Sequence, residues 1–231
     1  MSAMILTELT HAQKEQICTL HTSFPLDGAD LFAVLEADGA IRSAAAFLKE
    51  DETTYECFAY TEPAYRSQGM FSELLDLAID ELPEDTEFLF YTNGSDPDCM
   101  AVLEALEAEL VMEEYMMEIS LSEIPAADKV NDISVKEIDV EGTRTLQYKS
   151  SFGIVNISVF SSYYYLYGFE ITEELRGQGY GTRFLLQVLS DLAKRNPMPL
   201  RLQVSGDNLP ALSLYKKTGF QITETLFGYL Y

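Results

Sequence analysis

The sequence predicts an α/β protein with two lobes, each a mixed β-sheet flanked by helices. Three observations lead to this class. The 231 residues suffice for two domains of ordinary size, and strand-like runs alternate with amphipathic helices in both halves. The charge also divides sharply, because residues 1–127 hold 4 basic and 27 acidic residues whereas residues 128–231 hold 11 of each. We place the lobes at residues 1–124 and 132–231, with a linker over 122–131.

The first half reads as a helix, a three-strand meander and two helices separated by a strand. The opening helix over 8–24 has Thr10 as its N-cap, and Asp38-Gly39 signals a hairpin between the first two strands. Apolar residues at helical spacing run over 69–82, and Pro83 ends that helix. The remaining elements are strands over 31–35, 41–48, 54–60 and 88–91, a helix over 97–109 and an extended segment over 110–121.

The second half repeats this order without an opening helix. Four strands come first, then two helices with a strand between them and a last strand. The first of these helices carries apolar residues on one face, and Gly219 suits a left-handed C-cap after the second. The predicted strands are 133–138, 143–150, 154–160, 163–171, 200–204 and 220–231, and the predicted helices are 179–195 and 209–218.

The two halves also share residues at an offset of 110. Residues 65–69 (YRSQG) fall on residues 175–179 (LRGQG), and Leu74-Leu75 falls on Phe184-Leu185. A fixed offset between similar segments is the mark of an internal repeat. The chain is therefore expected to contain two related lobes.

Composition excludes several classes of protein. Hydrophobic residues make up 47% of the chain and the mean hydropathy is −0.02, which excludes a disordered protein. No apolar run reaches the roughly 20 residues that span a bilayer, and the first residues lack signal-peptide blocks. Three cysteines and two histidines predict reduced cytoplasmic thiols and no metal site. A net charge of −23 argues against nucleic acid and anionic membranes as partners.

The stretch most informative about function is residues 176–182 (RGQGYGT). Three glycines between a strand and an amphipathic helix let backbone N–H groups converge on an anion at the helix N-terminus. The alternative interpretation is that these glycines serve only a tight strand–helix turn and bind no anion. A Walker loop is excluded because the chain has no Gly-Lys pair, and a dinucleotide fingerprint fails because Thr182 stands where its third glycine belongs.

The loop resembles the acyl-CoA-binding loop of the GCN5-related N-acetyltransferases (GNAT family), whose pattern is [QR]-x-x-G-x-[GA]. Arg176, Gly179 and Gly181 fill that pattern. Residues 200–220 resemble the family's second motif, a strand followed by an Asn-x-x-Ala-x-x-Leu-Tyr helix that ends in Gly-Phe. The resemblance covers roughly residues 143–231. It implies a mixed-sheet acetyltransferase lobe that takes acetyl-CoA and an amine and needs no metal.

The same resemblance implies the roles of individual residues. Asn208 would meet the pantetheine arm, and Tyr215 would face the sulfur as general acid. Some relatives carry a glutamate base where this chain has Gln203, so Glu170 becomes the candidate base, with a solvated strand carboxylate and a water relay as alternatives. The full expected acetyl-CoA site comprises Phe169, Ile171, Thr172, Arg176, Gly177, Gln178, Gly179, Tyr180, Gly181, Thr182, Asn208 and Tyr215.

Tyrosines 163, 165 and 167 alternate with Tyr164 and point to one face of a strand. They are expected either to fill the core or to form a wall for the acceptor.

The first half carries a faded form of these motifs. Phe71 stands at the position of Gly181, and Asp98 at that of Asn208. The resemblance therefore implies a tandem protein with a degenerate N-terminal lobe that supplies part of the acceptor site. The expected partners are acetyl-CoA and a small-molecule or peptide amine, with a cationic amine favoured by the acidic lobe. A catalytically silent acyl-CoA-binding or interaction protein is the alternative.

Overall fold

The computed structural model describes residues 1–124 and 132–231, and it divides into two compact units. Unit 1 comprises Met1–Val111 with Phe227–Tyr231, and unit 2 comprises Met112–Leu226. Both are α/β with a mixed sheet flanked by helices, so the predicted fold class is confirmed. Residues 125–131 of the predicted linker lie outside the described part of the chain.

Unit 1 is built on a sheet whose strand order is β1-β2-β3-β4-β5-β12, in which only the β4–β5 pair is parallel. The hairpin prediction is confirmed, since Asp38 and Gly39 both have positive φ angles, 53° and 77°. The elements are β1 (Ser2–Leu6), α1 (His11–Leu20), β2 (Leu31–Ala37), β3 (Ala40–Lys49), β4 (Thr54–Thr61), α2 (Met70–Glu81), β5 (Glu87–Thr92), α3 (Pro97–Ala105), the start of β6 (Glu109–Ile119) and the end of β12 (Gln221–Leu230).

Helix α1 begins with a capping box. Thr10 accepts a hydrogen bond from the Gln13 amide at 3.3 Å, and the Gln13 side chain accepts one from the Thr10 amide at 2.9 Å. The N-cap that the sequence predicts is therefore present, although the helix is shorter than 8–24.

We expect Thr10→Ala to lower the free energy of unfolding by about 1 kcal/mol, because the Gln13 amide loses the Thr10 hydroxyl that accepts its hydrogen bond. Urea unfolding followed by circular dichroism measures the change. The exposed neighbour Thr7 gives a matched control, since Thr7→Ala should change stability by less than about 0.5 kcal/mol. Equal effects of the two substitutions would contradict a capping role.

Unit 2 has the strand order β12-β6-β11-β10-β9-β8-β7, in which β10 and β11 are parallel and the pairs β6–β11, β10–β9, β9–β8 and β8–β7 are antiparallel. Besides most of β6 and β12, its elements are β7 (Ser134–Val140), β8 (Thr143–Ser150), β9 (Gly153–Val159), β10 (Tyr164–Ile171), α4 (Tyr180–Arg195), β11 (Leu200–Ser205) and α5 (Leu209–Lys217). Between Asp132 and Leu175, unit 2 has strands and one short 3₁₀ turn but no α-helix.

The helices of unit 2 pack on one face of its sheet. Phe184, Val188 and Leu192 of α4 are fully buried against residues such as Ile157 and Leu202 of the strands. Burial of this apolar face is the main stabilising contribution of the unit. The side chains that alternate with these along each strand form what we call the second face.

Two strands are assigned differently by the sequence and by the structure. The boundaries 1–124 and 132–231 leave β6 with the first lobe and β12 with the second. In the structure, residues 114–119 of β6 pair with β11 in unit 2, and residues 227–230 of β12 pair with β5 in unit 1. The sequence also misses strand β1.

Candidate functional site

The centre of the candidate site is a fork between two parallel strands of unit 2. Strands β10 and β11 pair only at Tyr164–Leu200 and Tyr165–Arg201. Beyond these pairs β10 continues alongside β9, and β11 continues alongside β6. The β10 backbone past Tyr165 therefore has a free edge on the β11 side in the described structure, which an extended ligand can join as an added strand.

A bulge interrupts β10 inside the fork. The register against β9 shifts between Tyr167 and Glu170, and Gly168 has a φ of 57°. The extra residue keeps Phe169 on the helix side, where its ring lies 6.4 Å from that of Tyr215, and leaves Glu170 exposed opposite it. Bulges of this kind occur next to active sites because they redirect backbone and side chains.

The glycine loop leads from the fork into α4. Arg176 donates from Nε to the carbonyl of Ile171 at 2.9 Å, and Gln178 donates from Nε2 to the carbonyl of Glu174 at 2.8 Å. Gly177 and Gly179 have φ angles of 71° and 83°, a region that favours glycine. These contacts fix the loop so that it turns directly into the helix.

The N-terminus of α4 offers backbone donors that have no partner among the described residues. Gly179 is the N-cap and provides no side chain to cap the helix. The first intrahelical bond runs from the Arg183 amide to the Gly179 carbonyl at 3.2 Å. The amides of Tyr180, Gly181 and Thr182 precede that bond, so they and the helix dipole suit an anion such as a pyrophosphate.

Helix α5 brings the other predicted residues to the same end of the sheet. The Asn208 side chain accepts from the Ala211 amide at 3.2 Å, which caps the helix and leaves its amide nitrogen available to a ligand. Tyr215 is only 6% exposed, packs against Phe169 and Phe220, and burial raises its pKa to about 12. Ile171 is the last residue of β10. Thr172 follows it, and its amide donates to the Phe152 carbonyl at 3.0 Å.

The second face beside the fork holds a contact that the sequence does not reveal. Gln203 of β11 donates a hydrogen bond from Nε2 to the carboxylate of Glu114 on β6. Burial and the Glu114 charge both raise the pKa of Tyr165, which points to this face from β10. The predicted alternation of the tyrosines is confirmed, since Tyr164 is buried in the core while Tyr165 and Tyr167 are half-buried opposite it.

The corresponding loop of unit 1 has nearly the same internal hydrogen bonds. Arg66 donates to the Thr61 carbonyl at 3.1 Å and Gln68 to the Ala64 carbonyl at 3.1 Å, each 110 residues before its counterpart. Ser67 and Gly69 have φ angles of 57° and 79°. The repeat therefore extends from sequence to backbone geometry.

The loop of unit 1 nevertheless has neighbours that disfavour an anion, and its strand lacks the bulge. Asp98, at the position of Asn208, forms an ion pair with Arg66 at 2.8 Å and places a carboxylate beside the loop. Phe71, at the position of Gly181, packs its ring against Phe90. Strand β4 pairs with β3 in continuous register, without the bulge of β10.

A cavity of about 360 Å³ lies at the other end of the unit 2 sheet, near the start of β10. Its two guanidinium groups are already paired, Arg144 with Glu137 at 2.8 Å and Arg195 with Asp191 at 2.7 Å. Because it lies near the start of β10, this cavity is distinct from the fork, which opens past Tyr165. No group of His, Cys, Asp or Glu side chains in the described residues is arranged to hold a metal, and no helix there could span a membrane.

The forked sheet, the bulged strand and the glycine loop at the α4 N-terminus together form one candidate ligand site in unit 2. Residues 148–220 match the family described as Acetyltransferase (GNAT) family. Residues 148–220 of unit 2 therefore form a GNAT acetyltransferase domain, and this domain identifies the protein as an acyltransferase. No curated protein sequence matches the chain.

Solved structures share the fold across both units at low sequence identity. A tandem GNAT protein from the clavulanic acid biosynthesis pathway matches with a TM-score of 0.62 and 12% identity, covering 100% of this chain and 98% of its own. A GCN5-related N-acetyltransferase from Sphaerobacter thermophilus matches at 0.61 and 15%, covering 94% and 84%. A GNAT-family acetyltransferase from Colwellia psychrerythraea matches at 0.56 and 11%, covering 99% of both.

Proposed function

We propose that unit 2 transfers the acetyl group of acetyl-CoA to a primary amine by direct attack of the nitrogen on the thioester. The observation that carries this proposal is the fork between β10 and β11. Its free strand edge runs into the loop whose amides are unpartnered at the α4 N-terminus. A long ligand with a diphosphate at one end and an amide-containing arm at the other fits that arrangement.

In this proposal the pyrophosphate binds the amides of residues 178–182, with Arg176 and Gly177 shaping the loop. The pantetheine arm pairs with the backbone of Phe169, Ile171 and Thr172, and the Asn208 amide donates to it. The thioester then lies in the fork beside Phe169, with the Tyr215 hydroxyl facing the sulfur.

The reaction also needs a group that takes a proton from the ammonium form of the acceptor. Two carboxylates of the second face are candidates for this base, Glu170 on β10 and Glu114 on β6. The sequence predicts only the first, and a water relay is the further alternative.

A second candidate function is a silent acyl-CoA-binding protein. Gln203 favours it, because an amide cannot take a proton. Thiol release from acetyl-CoA, measured over a panel of primary amines at several pH values, separates the two functions. Amine-dependent release with formation of the acetamide supports the enzyme, whereas acetyl-CoA binding without release under every condition contradicts it.

We expect the preferred acceptor to be cationic. The acidic half of the chain has a net charge of −23, and such a field attracts cations and weakens as salt shortens the Debye length from about 10 Å at 0.1 M. The kcat/KM for the best amine should therefore fall with rising ionic strength, mainly through KM. Sucrose at matched viscosity is the control. A flat salt profile, or preference for an anionic amine, would contradict a steering role.

A further inference from the structure

We propose that Glu114 is the catalytic residue that removes the proton from the attacking amine. The inference rests on the proposed acetyl transfer. It names a general base that neither of the two sequence motifs contains. Glu114 lies on β6, outside residues 148–220 that match the family.

The position of Glu114 follows from the register of β6 against β11. Glu114 lies opposite Ser205 and next to Met116, which is opposite Gln203. Met117 and Ile119 point into the core, so the even-numbered side chains of β6 occupy the second face. Glu114 thus stands on the strand directly next to β11, beside the fork.

Gln203 holds the carboxylate in place. Its Nε2 donates to one oxygen of Glu114, and one such bond leaves the other oxygen free to accept from an ammonium. The two side chains together provide a carboxylate where β11 itself provides only an amide.

The neighbouring charged groups are less suited to the task. Glu118, on the same face of β6, is paired with Arg201 at 2.7 Å, with Glu224 of β12 adding a more distant charge to that arginine. Glu113 accepts from the Tyr115 hydroxyl, and both lie on the core side of β6. Glu118 is thus already paired with a cation, whereas Glu114 is held by a neutral amide and its charge remains for an incoming ammonium.

The tyrosines of β10 complete the surroundings. Tyr165 is close enough to Glu114 for the carboxylate charge to raise the pKa of the tyrosine. The Cζ atom of Arg201 lies 4.8 Å from the centre of the Tyr163 ring. Because Arg201 and Phe160 already cover the Tyr163 ring, Tyr165 is the tyrosine beside Glu114 whose ring can contact an ammonium before it loses its proton. The acceptor therefore enters from the second face, opposite Tyr215.

The step balances as follows. The ammonium gives one proton to Glu114, and its nitrogen forms the N–C bond to the acetyl carbon. The C–S bond breaks with its electron pair on sulfur, and the nitrogen passes its second proton through water to that sulfur, which accepts a hydrogen bond from the Tyr215 hydroxyl. Glu114 releases the first proton to water. The products are the acetamide, the CoA thiol and one proton.

The test compares pH profiles of kcat/KM for the best amine in the full-length chain. Glu114→Gln should lower kcat/KM at neutral pH by roughly 10²-fold or more, with the loss shrinking at high pH where free amine is abundant. Glu118→Gln, on the same strand and face, should keep the wild-type profile. Calorimetric acetyl-CoA affinity should be unchanged in both variants, which shows that unit 2 is intact.

An exchange of the two side chains sharpens the test. Glu114→Gln with Gln203→Glu keeps the amide–carboxylate pair and moves the base to β11, so it should recover at least tenfold of the lost kcat/KM. A wild-type profile in Glu114→Gln, or its loss in Glu170→Gln alone, would overturn the inference while leaving acetyl transfer established. Absence of turnover by the wild-type chain with every amine would instead overturn the proposed function, and the inference with it.

Discussion

Replacing Tyr215 by phenylalanine should lower kcat about 100-fold while acetyl-CoA binds with unchanged affinity. The ring packs against Phe169 and Phe220 and is 6% exposed, so Tyr215→Phe keeps the packing and removes only the hydroxyl. Loss of one positioned hydrogen-bond donor to developing negative charge costs roughly 10²–10³-fold. Single-turnover measurements, in which chemistry limits the rate, give the kcat effect, and calorimetry gives the affinity.

The raised pKa defines how the hydroxyl acts. Burial brings it to about 12, so the phenol is protonated throughout the neutral range and no alkaline loss of activity below about pH 11 should come from it. An ordinary thiol has a pKa of about 8.5, so full transfer from Tyr215 to a solvated thiolate would be uphill by about 5 kcal/mol. The hydroxyl therefore acts chiefly by donating a hydrogen bond to the sulfur as negative charge develops.

A substitution elsewhere on α5 provides the control for this prediction. Lys217 is exposed at the end of the helix, and Lys217→Met should leave the single-turnover rate within about twofold. An unchanged rate in Tyr215→Phe would remove the hydroxyl from the mechanism, and weakened acetyl-CoA binding would assign it to binding instead.

Local patterns predicted the elements of this protein well. Helix α4 is predicted over 179–195 and found at Tyr180–Arg195, and β8 is found at the predicted residues, Thr143–Ser150. Gly219 has a φ of 105°, as a left-handed cap requires. Apolar periodicity and turn residues suffice here because each acts within one element.

Contacts between distant parts of the chain could not be predicted from such local patterns. The Glu114–Gln203 contact links residues 89 positions apart, and it depends on β6 pairing with β11. Nothing in the composition of β6 specifies that partner. The bulge in β10 is likewise set by tertiary pairing with β9, although Gly168 was a local sign of it.

The repeat shows which differences between the two loops matter for a ligand. Both loops share the arginine and glutamine hydrogen bonds and the left-handed glycine at the helix N-cap. They differ at Phe71 and Asp98, where unit 1 places a ring and a carboxylate. Those two side chains, together with the missing bulge in β4, are the reason to expect a single acetyl-CoA site.

Calorimetry should therefore give one acetyl-CoA site per chain, and Gly181→Glu should weaken binding at least 100-fold. At Gly181 a Cβ would meet Ile171, Leu214 and Phe169 at 3.6–3.8 Å, which is ordinary contact. Gly181→Ala should for that reason keep both the fold and the site. The glutamate adds a charge where the pyrophosphate approaches the α4 amides, and a loss of about 2.7 kcal/mol corresponds to the 100-fold effect.

The position of the substitution makes the result specific to unit 2. Gly179→Glu should also abolish binding, but with φ at 83° it adds backbone strain, so Gly181 gives the cleaner comparison. Phe71→Gly in unit 1 should create no second site, because the Arg66–Asp98 pair remains beside that loop. Two sites of similar affinity in the wild-type chain, or one site that survives Gly181→Glu, would show that unit 1 binds acetyl-CoA and that its loop is not degenerate.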